Sequence, residues 1–214
     1  AKHLYVFQRT ANFSLPARNA PLDPGKERKH KDEYVARRKA AYSTPFGIAG
    51  YPPPDKCAAE VTPADRKNAY EEKWAEGGSI SFLFAYKDLL LNKEANDTAS
   101  DFVRNKIRAT VKDQTTAELL CPNDHPIGTK RLILDTDYFE TYNRDNVTLV
   151  GIRSNPIKNF TEAGLKLTDD TAYELDAISF ATGFDAMTGA MREIDIQTDN
   201  GGDIRKKWEN GPYT

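Results

Sequence analysis

The sequence predicts an α/β fold interrupted by a mainly helical insertion. Three observations predict it. Leu4-Tyr5-Val6-Phe7, near the start of the chain, is a short apolar run of strand formers, too short for a helix. Residues 24–120 carry helical spacing and no convincing strand. Strand patterns then return at 147–150 and 177–181, the natural partners for a first strand that cannot stand alone.

Taken in order, residues 3–10 read as a buried strand. Residues 11–24 hold Asn12, Ser14, Pro16, Asn19, Pro21 and Pro24, which is loop chemistry. From Gly25 to about Ala41, Tyr34, Val35 and Arg38 sit at helical spacing, which predicts an exposed helix. Residues 15–45 carry eight Lys/Arg against four acids, the charge pattern of a solvated face or of an anion-steering patch. Residues 45–61 contain Pro52-Pro53-Pro54, so a loop is expected. Thr62-Pro63-Ala64-Asp65 is a helix start, with Thr62 as N-cap and Pro63 in the first turn. Tyr70 and Trp74 share a face of that helix, and Gly77-Gly78 stops it. Phe82, Leu83, Tyr86, Leu89 and Leu90 form a second helical stripe. A third helix, from Asp97 or Thr98, carries Phe102, Val103, Ile107 and Val111. Residues 115–120 make a last short helix ending at Cys121-Pro122. Beyond Pro126, a short strand is expected at Arg131–Leu134, a helical turn around Tyr138, Phe139 and Tyr142, and a strand at Val147–Val150. A hairpin follows, 157–160 with 164–167, turning at Glu162-Ala163-Gly164. The meander continues at Tyr173–Asp176, and a last apolar strand at Ala177–Ala181 runs into Thr182-Gly183-Phe184.

Composition narrows the function classes. The 214 residues carry 30 Lys/Arg and 32 Asp/Glu, a formal net charge of −2. That balance argues against a dedicated nucleic-acid binder and against a polybasic membrane tether. No apolar run reaches the length of a transmembrane helix, and no signal-peptide pattern opens the chain. Two cysteines, Cys57 and Cys121, fit a reducing compartment, so a cytoplasmic protein is expected. The chain opens without Met directly on a core strand, as an internal piece of a longer polypeptide would.

Generic motif tests are negative. There is no GxGxxG, GxxxxGK[ST] or GxSxG, and His3, His30 and His125 have no zinc-type spacing. Two basic stretches remain. Arg9-Thr10 ends the first strand, where a dinucleotide-binding sheet meets the adenosine ribose. An Arg there is suited to a 2′-phosphate through charge-assisted hydrogen bonds, with Thr10 adding a hydroxyl. Gly128-Thr129-Lys130-Arg131 sets two cations side by side, which on a strand or loop point in opposite directions. Lys130 suits a phosphate as a point charge, and Arg131 suits a developing oxyanion. On pattern alone each stretch reads first as an ordinary solvated surface.

Longer segments carry more. Val6 to Leu22 (VFQRTANFSLPARNAPL), Gly128 to Val150 (GTKRLILDTDYFETYNRDNVTLV) and Ile178 to Ile196 (ISFATGFDAMTGAMREIDI) resemble the flavin-dependent Baeyer–Villiger monooxygenases. Ala69 to Asn96 resembles the helical insertion of that family, and KKWENGPYT a segment that follows soon after. The family's two GxGxxG fingerprints and its own His-centred signature are absent from this chain. The resemblance implies part of a Rossmann-type NADP-binding domain with a helical insertion and the start of the return into an FAD-binding domain. The implied divisions are 1–14 for the first NADP-domain part, 15–125 for the insertion, 126–184 for the second part, and 185–214 for the return segment. It implies FAD and NADPH as cofactors, with a small-molecule ketone, O2 and the rest of the parent polypeptide as partners. The implied reaction inserts one oxygen atom of O2 beside the ketone carbonyl through a C4a-peroxyflavin, giving an ester or lactone. Residue by residue, Arg9 and Thr10 match the family's 2′-phosphate pair and Lys130 its second phosphate ligand. Arg131 matches the arginine that stabilises the anionic flavin peroxide and contacts the nicotinamide, and so is the catalytic candidate. Ala181-Thr182-Gly183 matches the linker between the two domains. Two alternatives stay open: an N- or S-oxygenating flavin monooxygenase, and a non-catalytic module acting through protein contacts.

Overall fold

The computed structural model describes residues 1–44, 47–50, 54–183 and 188–212. The chain divides into two compact units, Ala1–Ile157 with Leu167–Asp169, and Lys158–Lys166 with Asp170–Thr214.

In the first unit, β1 (Leu4–Gln8) pairs in parallel with β4 (Val147–Gly151), in register from Leu4↔Val147 to Gln8↔Gly151. A second parallel pair joins β2 (Ser14–Pro16) to β3 (Ile133–Asp135). Parallel partners need a long crossover, and here the helical segment supplies it. That segment comprises α1 (Pro24–Asp32), α2 (Tyr34–Ala41), α3 (Pro63–Glu76), α4 (Ser79–Leu83), α5 (Lys93–Thr110) and α6 (Gln114–Leu120). The helix α7 (Tyr138–Thr141) then leads into β4.

Local chemistry sets the helix starts. The Thr62 hydroxyl accepts from the Asp65 N–H (3.2 Å), Asn92 Oδ1 from Ala95 N–H (3.0 Å) and Asp113 Oδ1 from Thr116 N–H (2.8 Å). Helix α5 buries Ala95, Ala99, Phe102, Val103 and Ile107 on one face. Tyr70 of α3 stacks on Phe82 (5.5 Å) and meets Phe102 (5.4 Å). Phe13 and Leu15, beside and within β2, are buried in the same core.

Several elements differ from the sequence reading. Residues 14–16 form a strand where Ser14 and Pro16 suggested loop. The burial of Phe13 and Leu15 outweighs those turn formers, and Pro16 sits at the strand end. The long helix begins at Lys93, because Asn92 caps it. The stripe from Phe82 to Leu90 is helical only through Leu83, and a chain of turns carries the rest into the core. The basic helix is two helices broken at Glu33 (φ −89°, ψ 3°). Part of the expected 45–61 loop, at 45, 46 and 51–53, lies outside the described residues.

The second unit carries most of a three-stranded sheet in the order β5 (Ile157–Thr161), β6 (Gly164–Leu167), β7 (Ala172–Glu174). The expected hairpin turn is there, and it requires glycine. Gly164 has φ +151°, and a Cβ on it would lie 2.0 Å from the Tyr173 carbonyl oxygen. Short helices α8 (Gly189–Glu193) and α9 (Ile204–Lys207) follow. The strand expected at 177–181 is absent. That stretch finds no ladder partner among the described residues and is exposed, Ile178 at 39% and Phe180 at 67%. Phe184, which ends the expected strand exit, lies outside the described residues.

Candidate cofactor-binding site

The first unit brings Arg9, Thr10 and Lys130 to one cleft. Strands β1 and β4 end together, and Ile152 N–H donates to the Gln8 carbonyl (2.9 Å), carrying the pairing one step past β4. Gln8 Nε2 also donates to the Leu119 carbonyl (2.7 Å), tying the strand end to helix α6. The cleft therefore opens at the carboxyl ends of parallel strands, where α/β sheets bind ligands. It has two lobes, of about 290 Å³ and about 470 Å³, which share Arg9, Thr10, Asp124 and Arg153. Lys130, Ile152 and Pro156 complete the larger lobe. Among the described residues, Arg9 and Lys130 form no salt bridge.

The turn that carries Lys130 is held from helix α5. Asn96, buried on α5, donates to the carbonyls of Leu89 (3.0 Å) and Ile127 (2.8 Å) and accepts from Ile127 N–H (3.0 Å). Gly128 follows at φ +89°, and a Cβ there would meet Leu90 Cδ2 at 2.6 Å. At that φ a residue with a side chain would be strained, which is why glycine stands there. Arg131 follows, exposed, with its carbonyl accepting from Asn12 Nδ2 (3.1 Å). Arg131 does not line the cleft with Lys130, so the neighbouring cations diverge. No acid pairs with Arg131 among the described residues, and Asp135 instead accepts a hydrogen bond from the Ser14 hydroxyl.

Asp124, His125, Asn12 and Arg153 were not singled out from the sequence. Asp124 Oδ1 meets His125 Nδ1 at 2.6 Å, and Arg153 Nη1 donates to Asp124 Oδ2 at 3.4 Å. His125 Nε2 lies 3.2 Å from Asn12 Oδ1, and its ring packs edge-on against Phe13. The His125 hydrogen bond holds the Asp124 carboxyl below the usual carboxylate range, and the Lys130 charge acts in the same direction. A carboxylate in a basic cleft is thus already partnered. The available signal was position: Asp124-His125 lies three residues before the GTKR turn. Burial pushes the Cys121 thiol up, so this cysteine of the smaller lobe is not a poised nucleophile.

No protein-family model matches the chain. Individual proteins do. A 2-oxo-Δ3-4,5,5-trimethylcyclopentenylacetyl-CoA monooxygenase of Pseudomonas putida is 44% identical over 214 residues, which cover 100% of this chain and 39% of that protein. A Baeyer–Villiger monooxygenase of Pseudooceanicola batsensis is 36% identical over 99% of this chain and 38% of its own length. The solved structure of an oxidized steroid monooxygenase bound to NADP superposes with a TM-score of 0.91 at 45% identity, covering 100% of this chain and 40% of that one. The chain is a relative of the flavin-dependent Baeyer–Villiger monooxygenases. It spans about two-fifths of the length of those proteins. A phenazine N-monooxygenase of Lysobacter antibioticus also matches, at 36% identity over 99% of this chain and 39% of that protein.

Of the residues that the resemblance marks for the cofactor, Arg9, Thr10 and Lys130 line the cleft and Arg131 does not. Ala181, Thr182 and Gly183, the expected linker, are exposed irregular backbone in the second unit.

Proposed function

We propose that this chain supplies the NADPH-binding part of a Baeyer–Villiger monooxygenase, with residues 15–125 as its insertion and 185–214 as the return toward an FAD-binding domain. The observation that carries the reading is the convergence of Arg9, Thr10 and Lys130 on one cleft at the ends of two parallel strands. Their chemistry fits the 2′-phosphate of NADPH. The Arg9 guanidinium offers a two-pronged donor, Lys130 a mobile point charge, and Thr10 a hydroxyl. Asp124, the acid of the larger lobe, is held by His125 and Arg153 and leaves the lobe net basic.

NADPH, when bound, supplies a hydride. The residues of this chain hold its phosphate and thereby set its position. Arg131, turned away from the phosphate lobe, is proposed as the cation at the reacting centre, where it would favour negative charge on oxygen. FAD is proposed from the relatives alone. The described residues offer no glycine-rich turn at a strand end for a flavin dinucleotide, so no step is assigned to it here. A small-molecule ketone and O2 are the proposed substrates, in the cytoplasm. The phenazine N-monooxygenase match favours N-oxygenation as the second reading.

Arg9→Ala tests the site. It should weaken NADPH binding by about 1.5–3 kcal/mol, the range for a hydrogen bond to a charged group, and leave NADH almost unchanged. Equal loss for both cofactors would show that Arg9 holds something other than the 2′-phosphate. Product analysis with a ketone and with an aromatic amine or N-heterocycle separates the two oxygenation readings.

A further inference from the structure

We propose that Arg153 is a further ligand for the phosphate monoester in this cleft, held ready by Asp124 until the phosphate arrives. The inference rests on the reading of the cleft as a 2′-phosphoadenosine site. Four observations carry it.

The first is position. Gln8 faces Gly151 in the parallel ladder, and Ile152 continues the pairing onto the Gln8 carbonyl. Arg153 is therefore placed on β4 much as Arg9 and Thr10 are placed on β1, just past the strand end. Both lobes of the cleft share it with Arg9.

The second is the quality of its present contact. Arg153 reaches Asp124 through one nitrogen at 3.4 Å, and its side chain is 70% exposed. A long, one-pronged, exposed pair of this kind holds a guanidinium weakly. A dianion offering two oxygens to the same fork competes well with it.

The third is what Arg153 leaves behind. Asp124 keeps its other oxygen on His125 Nδ1 at 2.6 Å. Release of Arg153 therefore strands no unpartnered carboxylate, and rotation toward the phosphate carries little penalty.

The fourth is charge. The smaller lobe contains a second acid, Glu118, but Arg108 engages it with two nitrogens, at 2.6 and 3.0 Å. Arg9, Lys130 and Arg153 then face Asp124 as the one acid without a full cationic partner. A phosphate monoester carries a charge of about −1.5 to −2 at neutral pH. Three cations against one carboxylate match it more closely than two do. Without Arg153, Asp124 would oppose the phosphate and favour a ribose hydroxyl instead.

The probes are 2′,5′-ADP and 5′-ADP, titrated calorimetrically into the protein and into Arg153→Ala, Arg153→Lys and Arg9→Ala. Arg153→Ala should lose about tenfold or more in affinity for 2′,5′-ADP and stay within about twofold for 5′-ADP. Arg153→Lys should recover part of the loss, since charge without the fork is retained. If Arg9→Ala weakens 2′,5′-ADP and Arg153→Ala does not, Arg153 serves only Asp124 and the proposal is wrong while the site reading stands. If neither variant loses affinity, the site reading fails and takes the proposal with it. Equal loss of both probes on Arg153→Ala would assign Arg153 to another part of the nucleotide and also overturn the proposal. Arg153 is too exposed for its replacement to threaten the fold, and Arg153→Gln repeats the test if Arg153→Ala precipitates.

Discussion

Single residues do unequal work around the cleft. Asn96 and Ser100 are the polar residues of the buried face of α5, and Asn96 satisfies both backbone groups of Ile127 together with the Leu89 carbonyl. Asn96→Ala takes the donor from the Leu89 and Ile127 carbonyls inside the core and leaves Ile127 N–H only the Ser100 hydroxyl at 3.4 Å. A stability loss of roughly 2–4 kcal/mol is expected, because each orphaned buried group costs about 1–3 kcal/mol. Urea unfolding measures it, and a loss below about 1 kcal/mol would mean that the Lys130 turn holds itself. Arg131 is the opposite case, exposed and without an acidic partner among the described residues. The structural alternative, a pair with Asp135 or Asp137, is not formed. On the proposed reading, Arg131→Ala in the full-length protein should abolish ester formation while flavin binding survives, with the electrons of any remaining NADPH oxidation reducing O2 to hydrogen peroxide. Arg131→Lys should rescue it poorly, because an ammonium does not reproduce the guanidinium fork. Ester yield per NADPH consumed decides the matter, and near-normal coupling in Arg131→Ala would remove it from the reacting centre.

At the scale of elements, part of the acid sensitivity sits at helix starts. Backbone N–H donors lower the carboxyls of Asp23 and Asp113, which cap α1 and α6. A depressed folded-state pKa gives stability that is present above the unfolded value and lost as pH falls through the folded one. The urea midpoint should thus fall with acidification below about pH 4, the ordinary range of an aspartate. Asp113→Asn keeps a capping oxygen but cannot titrate, so its midpoint should fall less steeply; an unchanged slope would place the acid sensitivity elsewhere. Elements announced by their own residues were legible in the sequence. Thr62-Pro63 starts α3, and the spacing of Phe102, Val103 and Ile107 marks α5. The strand at 14–16 was hidden because its turn formers lie in a segment whose burial only the tertiary structure reveals. The reverse error occurred at 177–181, where an apolar run looked like a strand but has no ladder partner among the described residues. Arg9, Thr10 and Lys130, which line the cleft, could be picked out as candidates from local pattern and family resemblance. Arg153 could not, since only the parallel pairing of β1 with β4 brings it from so far in sequence to the cleft.

At the scale of the whole molecule, burial is distributed unevenly, and this predicts where the chain opens. The first unit holds the contiguous core, from Phe13 and Tyr70 through Ile107 to Tyr142. In the second unit Leu165 is the one buried hydrophobic side chain among the described residues, while Phe160, Phe180, Met191 and Ile194 are exposed. Helices α1 and α2 bury no residue either, although they belong to the first unit. Segments with few buried apolar contacts open at low free energy, and proteases cut what opens. Trypsin at low dose should therefore cleave first within 26–39 and after Arg192 or Lys206, all exposed or carried on helices without buried residues. Arg104 should resist. It lies within α5, its side chain is 17% exposed, and its Nε donates to the Pro122 carbonyl at 2.8 Å. Mass spectrometry of the early fragments should show α3 and α5 joined in one resistant piece that continues through Arg131 and β4 to beyond Arg153. That piece contains Lys130 and Arg153, so the second half of the cleft should outlast the basic helices α1 and α2. Cleavage after Arg104 or Lys106 as early as after Arg192 would show that α5 does not anchor the core, and the Asn96 clamp on the Lys130 turn would lose its foundation.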